Sequence, residues 1–243
     1  MRCVLLALPT LLVATAALTA ADLPTGPELL ERSNAYHDPT GAWGRTALAL
    51  IIEERRPDGT VRETGVAIDL EREIFTWVSQ REGHDLVGKL RGERCELYLD
   101  GKSDFSEQEA EELGLNCDRV IWFRDYYTFL YGLPMKLRDP GTLVGDKVAA
   151  TEFEGHEVLS LRVTYEADVG ADTWYLYFDP ASSALAGYRF YHDEAKNDGE
   201  YITLEGEVEL GGMKLPQTRA WYYNDGRGYL GTDTLVGNRS VAE

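Results

Sequence analysis

Apolar and polar positions alternate with period two along most of this chain, the signature of half-buried strands. In "LEGEVELGG", Leu204, Val208 and Leu210 share one face with Gly206, and Glu205, Glu207 and Glu209 share the other. "TWYLYF" differs: Trp174, Leu176 and Phe178 lie on one face and Tyr175 and Tyr177 on the other, as expected of a strand covered on both sides. "RTALALIIEERRPDGTVRETGVAIDL" reads as two strands around the turn "RPDGT". "EIFTWVSQ", "HDLVGKL" and "RCELYLDG" continue an antiparallel meander, with turn signals between them. After "RDPGTLVGD" come "KVAATEF", "EVLSLRVTYEA", "TWYLYFDP", "LAGYRFYHD", "YITLEGEVEL", "MKLPQTRAWYY" and "YLGTDTLV". A sheet of about ten strands is expected, and open sheets of that size curl.

Period two fails in three places. "GPELLERSNAY" predicts a helix over Gly26–Tyr36 with Leu29, Leu30 and Ala35 inward. "SEQEAEELG" carries a capping box, Ser106 followed by Glu109, and a glycine stop at Gly114. A further helix is expected over Asp118–Tyr131, with Gly132 as the residue past its end and Pro134 preventing continuation. The fold class is therefore mainly β with a helical insertion at about 106–132: a strongly curved antiparallel sheet, or half-open barrel, roofed by helices.

The last helix poses the functional question. Phe123, Tyr126, Tyr127, Phe129, Leu130 and Tyr131 occupy more of its circumference than one packing stripe needs. Phe123, Tyr127 and Leu130 meet at spacings of three and four and are assigned to the sheet. Tyr126, Phe129 and Tyr131, with Trp174 and Phe178 from the sheet, are expected to line an apolar cavity. Arg124 is expected to meet a ligand headgroup. The competing reading is plain core, since buried helices are apolar all round without binding anything.

Composition changes this picture in three ways. The net charge of −18 over 243 residues argues against nucleic acid and anionic membrane surfaces as partners. Arg2, the apolar run Cys3–Leu18 and small residues near Ala20 and Ala21 form a leader, expected to be cleaved and to direct residues 22–243 to the periplasm as one domain. No other run approaches the length of a membrane span. Export leaves Cys95 and Cys117, an even pair expected to form a disulfide.

"YHDPTGAWG", "YYTFLYGLPMKLRDPGT", "WYLYFDPASSALAGYRFY", "MKLPQTRAWYY" and "GYLGTDTL" together resemble an uncharacterised family of exported bacterial proteins. That family is similar to the periplasmic lipoprotein-sorting carriers of the LolA type. The resemblance implies a half-open barrel with a cavity for acyl chains, and a partner that is an amphiphilic small molecule or an acylated protein.

Little else carries chemistry. There is no HExxH, GxSxG or Gly-rich phosphate loop. His37-Asp38, His84-Asp85 and His192-Asp193 repeat one dipeptide. A cluster of His37 with His192 would suit a metal-dependent hydrolase, whereas turn chemistry explains the same residues. The expected function is non-enzymatic binding or carriage of a hydrophobic ligand, with no cofactor. The alternatives are an envelope protein-interaction module using a sheet edge or the acidic surface, and the hydrolase.

Overall fold

The computed structural model describes residues 23–237, so the leader lies outside the described residues. Every strand candidate forms, giving twelve: β1 Leu48–Arg55, β2 Val61–Asp69, β3 Ile74–Arg81, β4 His84–Arg91, β5 Arg94–Leu99, β6 Thr142–Phe153, β7 His156–Tyr165, β8 Thr173–Phe178, β9 Leu185–Asp193, β10 Asp198–Leu210, β11 Met213–Tyr223 and β12 Tyr229–Gly237. They pair antiparallel in one sheet, in the order β5-β4-β3-β2-β1-β12-β11-β10-β9-β8-β7-β6. Successive strands are neighbours throughout except β5 and β6, and the two runs are joined where β1 pairs β12. β5 and β6 remain edges, so the sheet is not closed. The chain between these two edges is helical.

The inner face is apolar because one parity of each strand is. Leu50 and Ile52, Val66 and Ile68, Leu161 and Val163 are all buried. β8 is covered on both sides. Leu176 and Phe178 enter the main core, and Tyr177 packs on the outer face with Phe153, Val158 and Tyr201.

Three α-helices complete the fold. α1, Gly26–His37, starts at a capping box of Thr25 and Glu28 and packs on β6 and β11. It buries Leu29, Leu30, Ser33, Asn34 and His37. Ala35, expected inward, is exposed, because the stripe through Leu30 continues to Ser33, Asn34 and His37 at helical spacing. α2, Glu107–Leu113, has the Ser106–Glu109 capping box and ends at Gly114 with φ 62°. α3, Cys117–Gly132, packs on β2–β5.

Gly132 is the last helical residue rather than a left-handed stop, and Leu133 beyond it is extended. It must be glycine for space: a Cβ there would lie 2.4 Å from Trp43 Cζ2. A short 3₁₀ turn, Met135–Arg138, then leads into β6.

Cys95 on β5 and Cys117 at the start of α3 are joined by a disulfide, 22 residues apart in sequence. The bridge ties the helical insertion to an edge strand. Replacing both cysteines by Ala is expected to lower stability by about 3 kcal/mol, from the regained entropy of a loop this long. Urea denaturation of oxidised wild type against the double variant measures it, and equal midpoints would refute it.

Candidate functional site

α3 sorts its aromatic residues by helical angle. Val120, Phe123, Tyr127, Leu130 and Tyr131 face the sheet and are buried. Phe123 stacks on Trp77 with ring centroids 4.8 Å apart. Trp122, Tyr126 and Phe129 fall along the flank turned to the open side. Trp122 is 57% exposed, while Tyr126 and Phe129 are half-buried.

Two chains of rings run from this flank onto the sheet. Trp122 stacks on Tyr126 at 4.9 Å, and Tyr126 lies parallel to Trp221 of β11 at 6.1 Å. Phe129 meets Trp174 of β8 edge-on at 4.9 Å, and Trp174 stacks on Phe190 of β9 at 4.8 Å. Between them opens a cleft of about 630 Å³. Its remaining lining is largely charged, with Glu54, Arg55, Arg56, Arg62, Asp172, His192, Glu200 and Asp233 around the rings.

Beneath the cleft, register places four charged residues side by side across four strands: Arg62 on β2, Glu54 on β1, Asp233 on β12 and Arg219 on β11. Glu54 pairs with Arg62 and accepts from the Tyr127 hydroxyl at 2.9 Å. Asp233 Oδ2 accepts from the Trp221 indole N–H at 3.2 Å. Burial, and then the neighbouring Glu54 carboxylate, push the Asp233 pKa up to about 6. Arg219 is 1% exposed. Its guanidinium lies 3.9 Å from the Tyr131 ring centroid, and it donates to Pro216 O at 3.1 Å and Leu130 O at 3.5 Å.

The sequence-expected lining divides accordingly. Tyr126, Phe129 and Trp174 border the cleft. Tyr131 and Phe178, at 1% and 0% exposure, do not: both are core. Tyr131 follows Tyr127 by four residues and so repeats its sheet-facing direction. Phe178 is on the inner parity of β8, at the end away from Trp174, where the core is filled. Arg124 also lies elsewhere. It is two residues, or about 200°, from Tyr126 on the helix. It lines a separate cleft of about 580 Å³ with Ile68, Phe75 and Ile121, and pairs with Asp125.

Trp122, Phe190 and Trp221 escaped the sequence reading, as did the charge row. Signals existed for both. Trp122 precedes Tyr126 by four residues, and Glu54 keeps the parity of the inward Leu50 and Ile52.

The histidine cluster does not form. His37 is fully buried, and both its ring nitrogens are engaged by backbone. Nε2 accepts from Leu185 N at 2.9 Å, so Nδ1 carries the proton and donates to Lys214 O at 2.7 Å. Asp38 instead accepts from the Ala42 and Trp43 amides, closing the loop after α1. His192 pairs with Asp172, and His84 with Asp100, neither with its sequence neighbour. Among the described residues no group of three His, Cys, Asp or Glu side chains is placed to hold a metal ion. None of their helices is long and apolar enough to cross a membrane.

The outer face of β1–β5 carries a larger groove, about 790 Å³. Ile51, Gly65, Val78, Val87 and Tyr98 form one transverse row across it. Tyr98 is the one ring in its lining, against six in the inner cleft.

The sequence profile of DUF6503, a family of unknown function, matches residues 3–238. No curated protein matches the chain. Among solved structures, a LolA superfamily protein from Nitrosomonas europaea superposes with a TM-score of 0.50 at 11% identity, covering 90% of this chain and 96% of the other. A Vibrio parahaemolyticus domain described as an outer membrane lipoprotein-sorting protein gives 0.46 at 10% identity, covering 89% and 92%. A DUF1329 family protein from Desulfovibrio piger gives 0.47 at 8%, covering 91% and 95%. The half-open architecture is thus shared with the Nitrosomonas europaea protein.

Proposed function

The chain belongs to DUF6503, a family of unknown function, so its role rests on its own cleft, and we propose that it is a non-enzymatic carrier for a hydrophobic or amphiphilic ligand. The ligand's apolar part lies between α3 and the inner face of the sheet, against Tyr126, Phe129 and Trp174. The observation that carries this reading is six aromatic side chains lining one open cleft, with Trp122 more than half exposed. Burying such rings against an alkyl chain removes apolar surface from water. The leader and the disulfide support a site of action outside the cytoplasm. The LolA-like fold supports the architecture alone.

Titration with N-phenylnaphthylamine, an uncharged fluorescent probe, tests the reading. Saturable binding is expected for wild type. Phe129→Ala and Trp174→Ala are expected to weaken it at least tenfold, at ~1.4 kcal/mol of lost apolar contact for each tenfold. Phe178→Ala should lower stability instead and leave the affinity of the folded protein unchanged. Absence of saturable binding by wild type removes the carrier reading. The outer-face row from Ile51 to Tyr98 would then favour the second reading, a protein-interaction module of the envelope.

A further inference from the structure

We infer that the cleft selects a positively charged head: an alkylammonium group seated against the faces of Trp221 and Phe190, between the carboxylates of Asp233 and Glu200. This rests on the carrier reading and names the ligand class of the same site.

Most of the cations around the cleft are already committed. Arg62 is held by Glu54, Arg55 by Glu53 at 3.3 Å, and His192 by Asp172 at 2.8 Å. Arg219 lies under the floor, directed at two backbone carbonyls and the Tyr131 ring. Among the described residues no ion pair reaches Asp233 or Glu200. Asp233 receives one hydrogen bond, from the Trp221 indole. Both are half-buried, and burial raises the pKa of each. Neither carboxylate therefore has a cation of its own: Arg219 and Arg62 act on Asp233, and His192 on Glu200, from beyond ion-pair distance.

Each of these carboxylates stands beside a ring. Trp221 donates its N–H to Asp233 and turns its indole toward Tyr126, 6.1 Å away. Glu200 is the register partner of Phe190, which is itself the partner of Trp174. The ring quadrupole attracts a cation over its face, most strongly for Trp, and a nearby carboxylate adds to that attraction. An anionic head would face the same two carboxylates and be repelled. Arg56, which makes no ion pair among the described residues, borders the cleft beyond them and suits the phosphate of a zwitterionic head.

Calorimetric titration of the mature protein with four C12 amphiphiles below their micelle concentrations tests this: dodecyltrimethylammonium, dodecylphosphocholine, dodecyl maltoside and dodecanoate. Dodecyltrimethylammonium is expected to bind about tenfold more tightly than the maltoside, and dodecanoate most weakly. Phosphocholine equal to trimethylammonium identifies a choline-type zwitterion as the ligand class, and weaker phosphocholine binding a simple cation. Asp233→Asn is expected to remove most of the ammonium preference and leave maltoside binding unchanged. Glu200→Gln should do the same in part, as an independent check at the second carboxylate. Dodecanoate binding as tightly as the ammonium probe overturns the inference, as does an undiminished preference in both variants. Maltoside binding without ammonium preference overturns this inference alone. No binding of any of the four removes the carrier reading as well.

Discussion

Arg219→Ala is expected to destabilise the protein by about 3–5 kcal/mol in urea denaturation at pH 7.5. The row Arg62, Glu54, Asp233, Arg219 runs plus, minus, minus, plus across adjacent strands. Removing the terminal cation leaves two neighbouring carboxylates with Arg62 alone, on a face where burial already raises the Asp233 pKa to about 6. It also leaves the Leu130 and Pro216 carbonyls without their side-chain donor, and Tyr131 without the guanidinium stacked on it.

Asp233→Asn should recover part of this loss, and the sign follows from linkage. The folded pKa of Asp233 lies above its ordinary value of 3.8. Between about pH 4 and 6 the folded state holds a proton that the unfolded chain has released. Stability from this group is therefore full below pH 4 and is lost as pH rises through 6. Above that, the carboxylate opposes folding. In the wild-type background Asp233→Asn should accordingly stabilise by about 1–2 kcal/mol at pH 7.5, discounted for partial exposure, and by little at pH 4. A loss at pH 7.5 below 1 kcal/mol for Arg219→Ala would mean that the row is not coupled. Retaining Asp233 at this expense fits a carboxylate kept for binding rather than for stability.

Most of the architecture was legible because its signals are local. The capping box of Ser106 and Glu109, the stop at Gly114 and the alternation through Glu205–Glu209 each involve neighbours in sequence. The closing pair β1·β12 joins strands from opposite ends of the described chain and has no local signature. The site depends on that pair. Glu54 and Asp233 become neighbours solely through it, so the inward parity of Glu54 is legible within β1 whereas its neighbour is not. α3 differs from its sequence expectation for another reason. Its aromatic excess was plain, but an excess does not say which side is open. Tyr131 is adjacent to Leu130 in sequence and buried with it, whereas Trp122, nine residues earlier, stands at the cleft. Arg124 illustrates the same point, since closeness along a helix is not a shared face.

His37→Ala is expected to cost about 3–5 kcal/mol, the second large effect. This single ring joins three elements: it sits at the end of α1, accepts from Leu185 at the start of β9 and donates to Lys214 on β11. Truncation leaves a buried N–H and a buried C=O unpaired, each worth about 1–3 kcal/mol, and opens a cavity besides. Gln can present both a donor and an acceptor, so His37→Gln should lose less. The two variants also differ from wild type in acid. Burial holds the His37 pKa below its ordinary 6.5, against the smaller opposing effect of its bond to the Lys214 carbonyl. Below pH 6.5 the unfolded chain therefore binds a proton that the folded state refuses. Stability from this group is complete above pH 6.5 and falls as pH drops toward the folded pKa, with a slope of up to about 1.4 kcal/mol per pH unit. Asp233 has the opposite sign over an adjoining range, so the comparison belongs in an Asp233→Asn background. There, urea midpoints between pH 7.5 and 5 should fall for His37 and stay flatter for His37→Gln. Parallel slopes in the two proteins would assign the acid sensitivity to other groups and remove His37 as the charge-excluding joint between α1, β9 and β11.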